Sequence, residues 1–307
     1  MPAREGIEAA AKRIAGHVAV TPVMESAALW SRPVVLKLEQ AQLTGSFKVR
    51  GAFNTLLSGP VPAAGVVAAS GGNHGAAVAL AARTLGHRAK IFVPEVAGPA
   101  KIALIRETGA DLMIVPGGYA DALVVAQDFE AESGAMQIHA YDAPATVTGQ
   151  GTTFREWDAQ GLDADTVLIA VGGGGLIAGA LAWWGDRRRV VAVEPEQAPT
   201  LATALRDGPD AQVEVGGIAA NALGARTIGR MCHALASARG IEVALVPDEA
   251  IAAAQTALWR THRLLVEPAG ATALAALMCG AYVPAPDERV AVLLCGGNVA
   301  PDPLARS

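Results

Sequence analysis

The chain has 307 residues, of which 52% are apolar and 17% charged, and its formal charge is −5. That length carries one large domain or two modest ones, and the apolar balance excludes a disordered chain. No basic block occurs beyond Arg187, Arg188 and Arg189, so the electrostatic footprint of a nucleic-acid binder is missing.

The first 16 residues mix charge with alanine and lack the apolar stretch of a signal peptide. Next, 34–38 and 65–69 read as strands, and a glycine turn leads into a helix over 75–85. A strand over 89–93 stops at Pro94, and a helix over 99–108 stops at Gly109. A strand over 112–115 precedes a helix over 119–133. The alternation resumes with a strand at 167–171, a helix at 177–184 and a strand at 190–193. Helices over 248–261 and 269–278 and a strand over 290–294 complete the pattern. Residues 166–185 carry no charge and read by hydropathy as a membrane-helix candidate. Gly172, Gly173, Gly174 and Gly175 break that helix, so a buried strand, a loop and an apolar helix are expected instead. Strands alternating with helices predict an α/β fold with parallel sheets, whose ligands sit at the carboxyl ends of strands.

Cys232, Cys279 and Cys295 form no C-x-x-C pair, and their odd number gives no disulfide framework. A cytoplasmic location is the expectation.

Four segments carry chemistry. In T-G-S-F-K-V-R-G-A (44–52), Lys48 sits among small residues and Phe47. Desolvation there would free its amine as a nucleophile, although a lysine that opens a helix is more often solvated. The tetraglycine follows an apolar run and exposes backbone N–H groups at a helix start, which favours an anion such as phosphate over a plain turn. S-G-G-N-H-G (70–75) lies between a strand and a helix. Ser70 and the backbone there can hold a carboxylate, or Asn73 and His74 can serve as turn and cap residues. C-G-G-N (295–298) ends the last strand, where a buried cysteine ordinarily just packs.

In this order, and with V-E-P-A-G at 266–270, the segments resemble the fold-type-II pyridoxal-phosphate enzymes, in particular the serine/threonine dehydratase and serine racemase branch. The resemblance runs from about Thr21 to Asn298. It implies a two-domain fold like the tryptophan synthase β chain: a large cofactor domain of 1–54 plus 141–307, and a small domain of 55–140 holding the substrate-carboxylate loop. It further implies that Lys48 carries pyridoxal 5'-phosphate as a Schiff base and moves protons, and that Phe47 packs beside the ring. Asn73 bonds the ring hydroxyl, Cys295 faces the ring nitrogen, and Gly172 to Gly175 with Leu176 hold the phosphate. Ser70, Gly72, Asn73 and His74 line the carboxylate loop. The implied reaction is β-elimination from L-threonine or L-serine to a 2-oxo acid and ammonia, by a homodimer.

Racemases of the family place a serine base where this chain has Gly71, which favours elimination. Their divalent site draws on a glutamate, a carbonyl and an aspartate. Glu194 and Ala198 match the first two and Thr200 replaces the third, leaving Glu194 as candidate ligand of a divalent or weaker monovalent cation. The end at Ser307 implies no C-terminal regulatory domain of the biosynthetic type. Competing readings are a β-replacement enzyme, a dehydratase of another 3-hydroxy amino acid such as hydroxyaspartate or a hydroxyectoine derivative, and a non-catalytic binding protein. Arg50, Arg155 and Arg226 are candidates for a second substrate carboxylate.

Overall fold

A computed structural model describes residues 1–97 and 99–299. The chain opens with α1 (Arg4–Ile14), β1 (Val23–Ser26), β2 (Val34–Leu38) and α2 (Lys48–Leu57). Then come β3 (Val66–Ala69), α3 (Asn73–Thr84), β4 (Ala89–Pro94), α4 (Pro99–Glu107), β5 (Asp111–Val115), α5 (Tyr119–Ser133) and β6 (Met136–Gln137). After α6 (Pro144–Ala159) follow β7 (Thr166–Ala170), α7 (Gly175–Trp184), β8 (Arg189–Pro195) and α8 (Thr200–Asp207). The last stretch holds α9 (Ala220–Leu223), α10 (Arg230–Arg239), β9 (Glu242–Val246), α11 (Asp248–His262), α12 (Pro268–Cys279) and β10 (Val290–Leu294).

Two sheets form. One has six strands in the order β1-β2-β10-β7-β8-β9, and the other has four in the order β5-β4-β3-β6. All pairings are parallel except β1 with β2. Parallel strands need both faces covered, so they read as continuous apolar runs. Accordingly β3, β7 and β10 are buried at every residue. α12 lies across β10, β7 and β8, and is buried from Ala269 to Leu277, which is why its sequence shows no polar face.

Register places the site. β10 lies between β2 and β7, with Leu294 opposite Leu38 and Val292 opposite Leu168. Three strands therefore end on one edge of the six-stranded sheet. From that edge leave the Lys48 loop, the tetraglycine and the Cys295 loop.

The uncharged run 166–185 divides into β7, the glycine loop and α7, and no helix among the described residues is long and apolar enough to cross a membrane. α3 begins at Asn73 rather than 75, which brings Asn73 and His74 into its first turn.

Candidate active site

After β2 the chain turns sharply. Thr44 and Gly45 both have positive φ, 57° and 72°. Such a turn is costly for threonine, and its surroundings hold it. Gly297 N donates to Gly45 O at 2.9 Å, Phe47 N donates to Cys295 O at 3.3 Å, and Ser46 bridges Gly296. The loop before Lys48 is thus stitched to the end of β10.

Lys48 opens α2, and its Nζ donates to Ala140 O at 2.8 Å and lies 5.2 Å from the centre of the Phe47 ring. Burial lowers its pKa to about 8, against the opposing influence of Cys295 and Glu267. The amine is therefore desolvated, not solvated as an ordinary helix-opening lysine is, and it is available as a nucleophile near neutral pH.

Two residues on, Arg50 locks α2 in place. It grips Glu39 in bidentate fashion at 2.8 and 2.7 Å and reaches both Glu156 oxygens at 3.0 Å. Lys37 adds a bond to Glu156 at 2.7 Å, and the four charges sum to zero. Arg50, Lys37 and Glu39 are all buried.

The tetraglycine is tight on every side. A Cβ on Gly172 would lie 2.8 Å from Leu223 Cα, and one on Gly175 2.7 Å from Tyr141 O. At Gly173 it would strike the Tyr141 ring, and at Gly174, where φ is +86°, the Cys232 sulfur. Any side chain is therefore excluded, and the loop is bare backbone at the start of α7. Its N–H groups and the helix dipole suit an anion.

Across the site, Ser70 Oγ accepts from Gly72 N at 3.2 Å, ahead of the α3 N-terminus. His74 Nε2 lies 2.8 Å from Ile138 O, so that nitrogen carries the hydrogen. Burial, and then the Lys48 charge, push His74 down to about 3 and keep it neutral. Asn73 Nδ2 donates to Glu267 Oε1 at 2.5 Å, and Asn298 Nδ2 donates to Asn73 Oδ1 at 2.8 Å. Cys295 Sγ donates to Ala269 O at 3.4 Å, and burial pushes its thiol well above the ordinary range. A neutral thiol leaves a facing pyridine nitrogen unprotonated.

The remaining candidates lie apart. Both Glu194 oxygens accept backbone N–H groups, from Leu201 at 2.7 Å and Ala202 at 2.9 Å, and burial raises its pKa to about 7. The Thr200 hydroxyl donates to Ala225 O at 2.7 Å. Among the described residues no group of three or more His, Cys, Asp or Glu is arranged to hold a metal. Arg50 belongs to the buried network, Arg155 pairs with Glu8 and Arg226 is exposed.

Residues 139–142 carry functional groups that the motifs did not flag. Ala140 supplies the Lys48 acceptor. His139 Nδ1 accepts from Tyr141 N at 3.2 Å and Asp142 N at 2.9 Å, so its hydrogen sits on Nε2. His139, Tyr141, Thr227 and Arg230 line a cavity of about 310 Å³. The available signal was a histidine, an aromatic and an acid between a strand and the helix-starting Pro144. A larger hollow of about 500 Å³, at Trp30, Tyr282 and Val283, shares no residue with this site.

A desolvated lysine, a glycine cradle and a neutral thiol fit pyridoxal phosphate: an amine for its aldehyde, N–H groups for its phosphate, and a thiol that would leave a facing ring nitrogen unprotonated. The family model described as pyridoxal-phosphate dependent enzyme matches residues 14–296. The chain belongs to this family. An L-threonine ammonia-lyase of Geobacter sulfurreducens is 36% identical over 87% of this chain and 67% of its own length. A phenylserine dehydratase of Ralstonia pickettii is 34% identical over 100% of this chain and 96% of its own. The crystal structure of a threonine deaminase from T.th. superposes with a TM-score of 0.90 at 33% identity, covering 98% of this chain and 100% of that one. These relatives put this pyridoxal-phosphate enzyme among the ammonia-lyases.

Proposed function

We propose that the enzyme eliminates water from L-threonine or L-serine, giving an enamine that hydrolyses to a 2-oxo acid and ammonia. The observation that carries this reading is the desolvated Lys48 amine, which meets the Ala140 carbonyl beside the Tyr141 that packs on the tetraglycine, on a loop stitched to Cys295. When bound, the cofactor supplies an electron sink for charge developing at the substrate Cα.

The chain's own residues then divide the work. Lys48 binds the cofactor and carries a proton to and from Cα. Gly172, Gly173, Gly174, Gly175 and Leu176 would hold the phosphate, Phe47 would pack beside the ring, and Cys295 would leave the ring nitrogen unprotonated. Asn73 donates to the ring hydroxyl. Ser70, Gly72, Asn73 and the neutral His74, at the α3 N-terminus, hold the substrate carboxylate. The two sheets are the cores of a domain of 1–54 plus 141–307 and one of 55–140, in a cytoplasmic homodimer. Glu194, with both oxygens accepting from the start of α8 and no second carboxylate at Thr200, serves that helix in place of a strong cation site.

A second substrate class, a bulkier 3-hydroxy amino acid, is favoured by the cavity beside Tyr141 and by the phenylserine dehydratase relative. Titrating the loaded enzyme with L-threonine, L-serine, phenylserine and 3-hydroxyaspartate, with 2-oxo acid release as readout, separates the two. Release from threonine or serine at the highest kcat/KM supports the first reading. Release chiefly from phenylserine or hydroxyaspartate replaces it with the second.

A further inference from the structure

Asn73 is hydrogen-bonded on two sides, and its partners fix which way its amide faces. Two groups at the ends of this chain of contacts can only accept. One is the Thr44 carbonyl, turned by the positive φ of Thr44 and Gly45. The other is the Glu267 carboxylate, nearly fully buried. Asn298 spans from the first. Its Nδ2 lies 2.7 Å from Thr44 O and 2.8 Å from Asn73 Oδ1, which uses both of its hydrogens. At the other end, Asn73 Nδ2 donates to Glu267 Oε1. Turning the Asn73 amide over would set its carbonyl against the carboxylate and its NH₂ against the Asn298 NH₂. Both contacts are repulsive, and an unpaired buried acceptor is costly. The two amides carry four N–H hydrogens, and three are used: two from Asn298 and one from Asn73. One hydrogen remains, and it is on Asn73.

We propose that Asn298 and Glu267 are positioning residues that hold Asn73 so that it offers an N–H, never its carbonyl, to the cofactor's ring hydroxyl oxygen. This rests on the reading that Asn73 meets that oxygen. It goes beyond that reading by giving Asn298 and Glu267 a directional task, and it explains Gly45. A Cβ there would fall on Asn298 Oδ1, so only glycine lets Asn298 reach Thr44.

The test compares Asn298→Asp with Asn298→Ala in pyridoxal-phosphate titrations at pH 8, following the visible absorption of the bound cofactor, with thermal melts as a folding control. The introduced carboxylate accepts only. It sets an acceptor against the Asn73 carbonyl oxygen and competes with Glu267 for the amide nitrogen, so the N–H is no longer held towards the ring oxygen. Cofactor binding is then weaker by about 10- to 100-fold, the loss of one hydrogen bond to a charged group, and the visible band moves. With Asn298→Ala, Glu267 still holds the amide nitrogen, and binding weakens by less than about tenfold. A purely structural Asn298 predicts the reverse order, because aspartate keeps the shape and alanine leaves a hole. Binding by Asn298→Asp within about twofold of wild type, or tighter than by Asn298→Ala, overturns the proposal. If Asn298→Asp does not fold, Asn298→Ala/Glu267→Gln removes both fixed ends. The loss should then exceed the product of the two single losses, and a simple product overturns the idea. A wild-type chain that takes up no cofactor overturns the pyridoxal-phosphate reading and this one together. A normal wild-type band with an unaffected Asn298→Asp overturns this one alone.

Discussion

Arg50→Met tests whether the buried charge network holds up the lysine-bearing helix. Arg50 makes four charge-assisted bonds to Glu39 and Glu156. Methionine fills much the same space, so the loss is electrical rather than a cavity. Three charges remain, Lys37 against two carboxylates, one of them in the buried Glu39. Breaking a buried pair by removing one partner costs about 3–5 kcal/mol, a large share of the roughly 5–15 kcal/mol that holds most domains folded. Urea unfolding followed by circular dichroism should show that loss. Adding Glu39→Gln restores neutrality, with Lys37 left on Glu156, and should return at least about 1 kcal/mol. The acid limb gives a second readout. Burial raises the Glu156 pKa, but Arg50 and Lys37 outweigh it and hold the carboxyl below its usual range. Its stabilisation is therefore complete above the unfolded value of about 4.3 and is lost as pH falls through the lower folded value. Arg50→Met should move acid unfolding to higher pH. A single-variant loss below about 1 kcal/mol, or a double variant less stable than the single one, would refute the reasoning.

Four further outcomes are expected. Lys48→Ala abolishes both turnover and the visible band, and near-normal activity in a folded variant sinks the mechanism. Gly71→Ser alone does not give a racemase, because a Cβ there collides with the Ala97 Cβ. Gly71→Ser/Ala97→Gly makes the room, and deuterium exchange at Cα should rise over wild type; no rise counts against a second-face base at this position. Cofactor uptake should climb about tenfold per pH unit below 8 and flatten above it, since only the neutral Lys48 amine reacts; an uptake rate that does not change between about pH 6 and 8 contradicts the lowered pKa. EDTA should leave activity within about twofold, because Thr200 stands where a second carboxylate ligand would be needed and spends its hydroxyl on Ala225 O; a loss that added divalent ion restores points to a metal site there.

The glycine-rich loops could be read from sequence because runs of glycine mark, in the letters themselves, backbone that no side chain may crowd. β10 and α5 were also plain, being continuous or strongly bounded runs. α6 was not. It is rich in threonine and glycine, poor helix formers, and it is helical because it packs against α1, α2 and α7. β9, on the edge of its sheet with Glu242 and Leu245 exposed, is an apolar run of only four residues, too short for periodicity to separate strand from helix. Within the site, Lys48 could be named but not weighed, because its pKa is set by burial in the folded chain, by the Ala140 carbonyl it meets, and by the opposing influence of Cys295 and Glu267, all far along the chain. The turn at 139–142 carried no motif, since its contribution to Lys48 is a backbone carbonyl, which any residue supplies.

The seam between residues 44–47 and 295–298 has a consequence for biosynthesis. β10, the last strand, fills the gap between β2 and β7, and its end fastens the loop that presents Lys48. Contacts spanning about 250 residues form late, at a high cost in chain entropy. A nascent chain on the ribosome can complete the four-stranded sheet early, but it has no finished lysine site until Asn298 has emerged. Ribosomal stalling or premature termination before that point therefore yields chains without cofactor chemistry, and the lysine is not desolvated until residue 298 has emerged.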